Sequence, residues 1–573
     1  MKRPLWIALF GVVLFGVVLF AVVLPGCGES SPPAPAPVPK TQTAEPSPWF
    51  EDVAGPSGLD FTWASGADAR FLMPEIVGGG VALLDYDADG DLDVYFVQGG
   101  DVDVAWDDAE ANTAHNQLFR NDGRMQFTNV TEGSGAGDGR YGMGVAVGDI
   151  DGDADPDLYI TNVGRNTMLR NDGGTFVDIT ESSGTGHDGW GASAAFFDAD
   201  LDGDLDLYVT NYLEWNPDTE ITCFSPLGGE DYCSPRNYLA PAIDVFYRNL
   251  GGGRFENATV ACGFDSQTGT GLGVVHGDWN GDLRPDIFVA NDGMRDLLWV
   301  SRPDGTWAEE GMNRGCSLDD EGVAKAGMGV DTTDLDDDGD LDIIVCNLTG
   351  ESDSIFRNDG DYFVDITGRT GVRAATKHAT RFGLGWVDFD NDGRLDLYEA
   401  NGAVTRIAAP AGADPYAQAD ALLRGQEGLR FSPVTPAGGT SDSVVLTSRG
   451  AAFGDLDHDG GVDIVVVNKD APANLYRNIA ADRGNWIVLD LRAQDGRPAI
   501  GALVSARLGA RTLTRPVQRA SSYMASNDPR VHIGLGPATA LEDVTIQWPD
   551  GRSQTIGSLQ AGRVHLMQQA PPK

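Results

Sequence analysis

One acidic nine-residue pattern, written seven times along the chain, constrains the fold more than any other feature. It reads DYDADGDLD from Asp85, DIDGDADPD from Asp149, DADLDGDLD from Asp198, DWNGDLRPD from Asp278, DLDDDGDLD from Asp334, DFDNDGRLD from Asp388 and DLDHDGGVD from Asp455. A unit repeated in this way cannot bury its apolar face alone and must stack on its neighbours. Each copy follows a Gly-rich apolar stretch such as GMGVAVG and precedes a β-branched or aromatic run ending in an amide, such as DLYITN. That order is strand, loop, strand. A third strand is read in NTMLRND, DSIFRND and ANLYRNI, and a fourth in FVDIT and FTNVT, which makes the four strands of one propeller blade. The seventh repeat stops after its third strand, whereas an unattached fourth strand, Phe50 to Ala54, precedes the first repeat. Pairing the two removes an exposed sheet edge. The expected fold is therefore all-β, a seven-bladed β-propeller closed by an N-terminal strand.

The loops have the chemistry of a hard-cation site. Calcium takes six to eight oxygens at about 2.3 to 2.6 Å, preferably anionic ones. In the first loop the side chains of Asp85, Asp87, Asp89 and Asp93 and the carbonyl of Asp91 are the candidate ligands. The same positions are Asp149, Asp151, Asp153 and Asp157 with the carbonyl of Asp155 in the second loop, and Asp198, Asp200, Asp202 and Asp206 with that of Asp204 in the third. The fourth offers Asp278, Asn280, Asp282 and Asp286 with Arg284, and the fifth Asp334, Asp336, Asp338 and Asp342 with Asp340. The sixth offers Asp388, Asp390, Asp392 and Asp396 with Arg394, and the seventh Asp455, Asp457, Asp459 and Asp463 with Gly461. Up to seven calcium ions are expected.

An EF-hand needs a glutamate at the twelfth position and helical flanks. The twelfth residues are Phe96, Ile160, Val209, Val289, Val345, Glu399 and Val466, and the flanks read as strands. Magnesium keeps several waters and suits an all-protein oxygen cage poorly. Acidic turns without a cation would hold four carboxylates together with nothing to offset their repulsion. A glycine at position six permits the sharp turn, and Ala154 and Leu283 stand there in the second and fourth loops. With Asn280 as well, the fourth loop is expected to bind most weakly.

With 86 acidic against 40 basic residues and a formal net charge of −46, the chain repels nucleic acid and anionic headgroups. Seven divalent ions would offset roughly 14 of those charges, so the fold is expected to depend on calcium.

Lys2 and Arg3 precede an apolar run from Leu5 to Leu24, followed by Gly26 and Cys27, which reads as an export signal. Leu24-Pro25-Gly26-Cys27 resembles a bacterial lipobox with Cys27 as the lipidated residue, although Pro25 stands where a small residue is usual. An uncleaved anchor is the alternative, because about 20 apolar residues span a bilayer. Either reading attaches the chain to a membrane and places the remainder outside the cytoplasm. The expected organisation is a leader or anchor over residues 1–27, a Pro-rich tether over 28–48, the propeller over 49–482 and a small β-domain over 483–573. In that last segment NWIVLDL and EDVTIQW alternate apolar with polar residues. Export permits disulfides. Cys223 and Cys233 flank a short loop and are the expected pair, Cys262 and Cys316 follow equivalent strands of neighbouring repeats as a second pair, and Cys346 reads as a buried free thiol.

The acidic repeats resemble the FG-GAP and VCBS repeats of integrin α-subunits and many bacterial surface proteins. Ile500-Gly501-Ala502, SYMASNDPRVHIGLGPA from Ser522 and VTIQWPDGR from Val544 resemble the ASPIC and UnbV domain. Together they look like the bacterial relatives of cartilage acidic protein. The resemblance implies a calcium-loaded propeller; it implies no particular activity.

Chain connectivity puts the acidic loops on one face and the inserts Gly99 to Asn116, Tyr212 to Ala242 and Gly402 to Asp420 on the other. Long loops on one side of a scaffold are where binding usually resides. Tyr212, Trp215, Phe224, Tyr232 and Tyr238 are the expected anchors for a protein or glycan partner. The amides Gln98, Asn162, Asn211, Asn291, Asn347, Asn401 and Asn468 either line a channel mouth or cap nearby backbone. No GxSxG, HExxH or CxxC motif occurs, so the chain reads as an adhesion or binding protein rather than an enzyme. A polysaccharide-active or redox propeller and a structural envelope scaffold are the alternatives.

Overall fold

The computed structural model describes residues 47–107 and 111–571. The expected export signal, Cys27 and most of the expected tether lie outside the described residues. The fold is all-β. Its repeating element is a four-stranded antiparallel sheet in which the acidic loop joins the first strand to the second, as in Val81–Leu84, Asp93–Phe96, Gln117–Asn121 and Phe127–Asn129. Seven such units occur among the described residues. Their first strands are largely buried and most carry glycine or alanine, which lets them pack side by side. Val81–Leu84 touches Tyr141–Gly148, contacts continue from unit to unit, and Ser448–Gly454 returns to Val81–Leu84.

The last unit takes its fourth strand from the other end of the chain. Phe50–Asp52 pairs antiparallel with Asn474–Asn478, Phe50 opposite Asn478. Phe50 is buried edge-on to Phe389, with ring centroids 5.1 Å apart. The strand is shorter than the expected Phe50 to Ala54. Asp52 Oδ1 accepts the Ala54 amide at 3.1 Å and turns the backbone into a helical turn, Ala54–Ser57. Similar turns follow other fourth strands and end on a left-handed glycine such as Gly135, φ 75°. A Cβ there would lie 2.4 Å from the carbonyl oxygen of Phe176 in the next unit. Only glycine allows that approach.

The C-terminal segment forms two further sheets. One joins Val531–Gly536, Asn485–Arg492 and Val564–Gln568; the other joins Arg511–Pro516, Leu503–Leu508, Ala540–Gln547 and Ser553–Gln560. Their apolar faces bury Ile487, Leu489, Val504, Ile546 and Trp548, continuous with apolar residues of the second and third units. Between the sheets the chain leaves the domain and enters the middle of the ring. Ala525–Ser526 pairs parallel with Val81–Ala82. Ser522 exchanges backbone hydrogen bonds with Val330 at 2.7 and 3.0 Å and donates its hydroxyl to the Ala451 carbonyl at 2.8 Å. The Met524 amide donates to Ser193 Oγ at 3.1 Å, and the buried Tyr523 donates to the Val77 carbonyl at 2.6 Å. One short segment thus ties together first strands from several units.

Cys223 and Cys233 are joined, S–S 2.08 Å. Cys262 and Cys316 are not: each is buried as a free thiol in a different apolar cluster, so the expected second pair does not form. Cys346 is free and buried.

Candidate metal centres

Each acidic loop is folded around its own carboxylates. In the first, Asp85 accepts the amides of Asp89 and Gly90, and Asp89 accepts that of Asp91, all at 3.0 Å. Equivalent contacts recur in the third loop at Asp198 and Asp202 and in the sixth at Asp388 and Asp392. Such wrapping needs left-handed backbone at positions four and six. Gly90, Gly203 and Gly339 supply position six, while Ala88, Leu201 and Asp337 bear the left-handed geometry at position four. In the second and fourth loops the glycine has moved rather than been lost. Gly152 and Gly281 take position four, and Ala154 and Leu283 take position six at φ 76° and 67°. Every loop keeps the same path with one glycine at a different place.

The ninth-position aspartate has a second task. One oxygen of Asp157 accepts the Ile150 amide of its loop at 2.8 Å, and the other accepts the Asn171 amide of the third strand at 2.7 Å. Asp93, Asp206, Asp286, Asp342, Asp396 and Asp463 repeat this bridge. The third-strand asparagine then reaches the preceding unit. Asn171 Nδ2 donates to the Tyr86 carbonyl at 2.8 Å, Asn249 to Ile150 at 3.0 Å, Asn358 to Trp279 at 3.1 Å, Asn478 to Phe389 at 2.9 Å and Asn121 to Leu456 at 2.9 Å. Ser301 and Gly425 replace the asparagine in the fourth and sixth units. These clips were not anticipated. Their signal is the recurrent Arg-Asn that ends the third strands.

Carboxylate oxygens converge within 4.8 Å of one another in Asp85, Asp87 and Asp89; Asp149, Asp151 and Asp157; Asp198, Asp200 and Asp206; Asp334, Asp336 and Asp342; and Asp388, Asp390 and Asp396. Two oxygens each about 2.4 Å from one ion lie no farther apart than that. Asp87 Oδ1, Asp151 Oδ1, Asp334 Oδ1 and Asp336 Oδ1 are buried and meet no hydrogen-bond partner. Burial, with the neighbouring carboxylates adding to it, pushes Asp93, Asp157, Asp206 and Asp342 up to about 8. Clustered, desolvated carboxylates with free lone pairs fit a hard divalent cation, which would hold them ionised.

The C-terminal domain lies on this same loop face. Arg511 pairs with Asp337 at 2.5 Å and donates to the Gly393 carbonyl at 2.6 Å. Arg515 donates to the Asp334 carbonyl at 2.9 Å, and His532 Nε2 lies 3.0 Å from that of Gly460. Arg483 pairs with Asp459 at 2.7 Å, and Arg497 donates to the Gly203 carbonyl at 2.8 Å.

On the opposite face the expected partner anchors separate into two groups. Tyr212, Trp215 and Tyr232 are buried and cannot be surface anchors. Tyr212 donates to Asp292 at 2.6 Å, Trp215 to Glu220 at 3.1 Å and Tyr232 to Glu75 at 3.1 Å. Tyr212 and Tyr232 thereby tie the insert to residues outside it, Trp215 packs edge-on against Trp190 at 5.3 Å, and Asp231 accepts Tyr416 of the insert from Gly402 at 2.7 Å. Tyr238 is half-buried and donates to Glu220 at 2.5 Å. Phe224 is 71% exposed, beside the disulfide, and Leu227 and Leu239 are exposed at 62% and 86%. The amides that end the second strands cap nearby backbone: Asn162 donates to the Arg165 carbonyl, Asn211 to Ile243, Asn291 to Arg295, Asn347 to Ser352, Asn401 to Ala419, Asn468 to Pro472 and Gln98 to Thr62.

The class defined by this fold and these loops is a propeller of FG-GAP-like repeats carrying an ASPIC and UnbV domain. The FG-GAP-like repeat matches residues 85–160, 151–209, 278–345 and 334–399, and the ASPIC and UnbV family matches residues 492–573. The chain is homologous to cartilage acidic protein 1. It is 25% identical to the Xenopus tropicalis protein over 315 residues, 52% of this chain and 44% of that one, and 26% identical to the Homo sapiens protein over 305 residues, 51% and 42%. It thus spans less than half the length of these curated relatives. Among solved structures, an Agrocybe aegerita lectin that recognises non-reducing terminal N-acetylglucosamine is similar at 16% identity, TM-score 0.38, over 68% of this chain and 88% of that one. YCF48 bound to D1 peptide is similar at 10% identity, TM-score 0.40, over 76% and 99%. Nothing about ligand or activity follows from either likeness.

Proposed function

We propose that this chain is an extracellular binding protein: a seven-bladed propeller, closed by Phe50–Asp52, stabilised by calcium in its acidic loops and tethered to a membrane by its N-terminus. It recognises a protein or glycan through the face opposite the loops. The observation that carries this reading is the asymmetry of the two faces. The C-terminal domain covers the loop face, whereas the disulfide-bearing insert presents Phe224, Leu227 and Leu239 to solvent on the other. Large apolar side chains left exposed on one disulfide-braced insert are the kind of feature that marks interaction surfaces. The orphaned oxygens of Asp87, Asp151, Asp334 and Asp336 support calcium as the stabilising ion.

Two arrangements favour binding over the alternatives. Ser522–Ser526 fills the middle of the ring, where a propeller enzyme would hold its substrate. The C-terminal domain is docked on the chain's own loops through Arg483, Arg497, Arg511 and Arg515, a use that needs no other envelope protein. Crosslinking in intact cells tests the reading: the full chain should capture a partner that a Phe224→Ser, Leu239→Ser double variant does not. Equal capture by the two proteins refutes the insert as the binding surface.

A further inference from the structure

A cavity of about 670 Å³ lies between the C-terminal domain and the first three acidic loops. Other cavities of the molecule measure about 160 and 60 Å³. The large one falls within the range of small-molecule sites, about 300 to 1,000 Å³, and lies at a junction of two structural layers where such sites concentrate. We propose that it is a binding site for a small polyhydroxylated ligand of monosaccharide to disaccharide size. This site stands on the face opposite the proposed partner surface and does not depend on that reading.

The wall chemistry selects the ligand class. Apolar surface comes from Pro156, Leu205, Ile500 and Pro549. Between these patches the wall sets fixed donors against fixed acceptors. Arg519 donates through Nη1 to the carbonyls of Leu83 and Asn527 at 3.0 and 3.3 Å, and among the described residues no carboxylate pairs with it. Arg497 is held by Asp495 and the Gly203 carbonyl, and its Nη1, 3.7 Å from Asp204, meets no hydrogen-bond partner. Asp495 and Asp550 line the same space as carboxylates, partnered by Arg497 and by Arg552 and Gln569 but with lone pairs to spare, and the exposed Gln494 can both donate and accept.

A hydroxyl group both donates and accepts, so an array of hydroxyls satisfies both kinds of wall atom at once. Other classes fit less well. An apolar ligand would strip water from arginine and aspartate without replacing it. An anion meets Asp495 and Asp550, which no loop cation would neutralise, and an ammonium compound meets three lining arginines.

The test uses the full chain saturated with calcium and a panel of neutral disaccharides (maltose, cellobiose, lactose) followed by ligand-observed NMR at millimolar concentration. Spermidine and citrate serve as cationic and anionic comparators. At least one sugar should bind, and Ala493→Trp, which fills the cavity, should weaken it by about tenfold or more. Gln494→Trp, at an exposed rim position, should weaken it in the same direction and is read alone if Ala493→Trp does not fold. Val260→Ser, exposed and outside both the cavity and the insert, should leave binding unchanged, whereas sugar binding lost in Phe224→Ser and kept in the cavity variants would place the sugar on the insert instead. The proposal is overturned if no sugar binds the folded wild type, if only spermidine or citrate binds, or if the folded rim and cavity variants bind as the wild type does.

Discussion

The ring is covered on both faces, and the two covers are held by opposite chemistry. On the loop face the C-terminal domain docks through arginines and a histidine against loop carbonyls and carboxylates, with Tyr523 driven into the centre. On the other face the insert docks through buried aromatic side chains, Tyr212, Trp215 and Tyr232, each donating to a carboxylate, with a disulfide beyond them. The first cover rests on the acidic loops themselves, through their carbonyls and through Asp337 and Asp459. The second does not touch them. If the loops hold calcium as proposed, the ion would couple to the loop face and its cover rather than to the insert.

Four measurements would break or sharpen this contrast. The largest effect is expected from chelation, which should lower the melting temperature by on the order of 10 °C or more, since several sites of moderate affinity each contribute a few kcal/mol. Hydrogen exchange should then rise in the acidic loops and the C-terminal sheets before it rises in the insert. Uniform loss would erase the distinction. Next, Tyr523→Ala should cost about 3 to 5 kcal/mol in urea unfolding, the usual range for truncating a buried aromatic residue. A change under 1 kcal/mol, roughly the scatter of surface substitutions, would mean that the segment fills the ring without holding it.

Smaller again is Asn171→Ala, which leaves the Tyr86 carbonyl unpartnered and should cost about 1 to 3 kcal/mol. The equivalent change at Ser301, where no clip exists, should cost less. The smallest effect concerns the second cover. Burial pushes Glu75 up to about 7, above its ordinary value, so the folded state holds a proton that the unfolded state has released. Stability from this group is therefore greatest at acid pH and falls as pH rises towards 7. Glu75→Gln should flatten that slope in melts recorded across this range, and an unchanged slope would assign it to other groups.

Much of this was legible in the sequence because it is local and repeated. The acidic loops, the strand order and the closing role of Phe50 follow from spacing, and Cys223 and Cys233 from proximity in the chain. The missing glycines of the second and fourth loops were legible only in part: the motif shows Ala154 and Leu283 at position six, but not that Gly152 and Gly281 compensate two residues earlier. Sequence gave no sign that Tyr212, Trp215 and Tyr232 are buried, since aromatic residues in a long insert have no periodicity that assigns them a face. Nor does a local pattern announce that SYMASND leaves its own domain. Its small and polar residues make sense only against the glycine-rich first strands that receive them.

Closure by a distant strand also has a cost in time. Asp52 must wait for Asn474, 422 residues later in the chain, before its carboxylate meets that amide, and Ser522 follows later still. A chain made from the N-terminus exposes open strand edges until Asn474–Asn478 has emerged. Contacts of such separation fold slowly and leave aggregation-prone intermediates. The ring cannot be finished until the strand around Asn474 arrives, so a chain cut short of it would remain an unsealed arc for proteases to find.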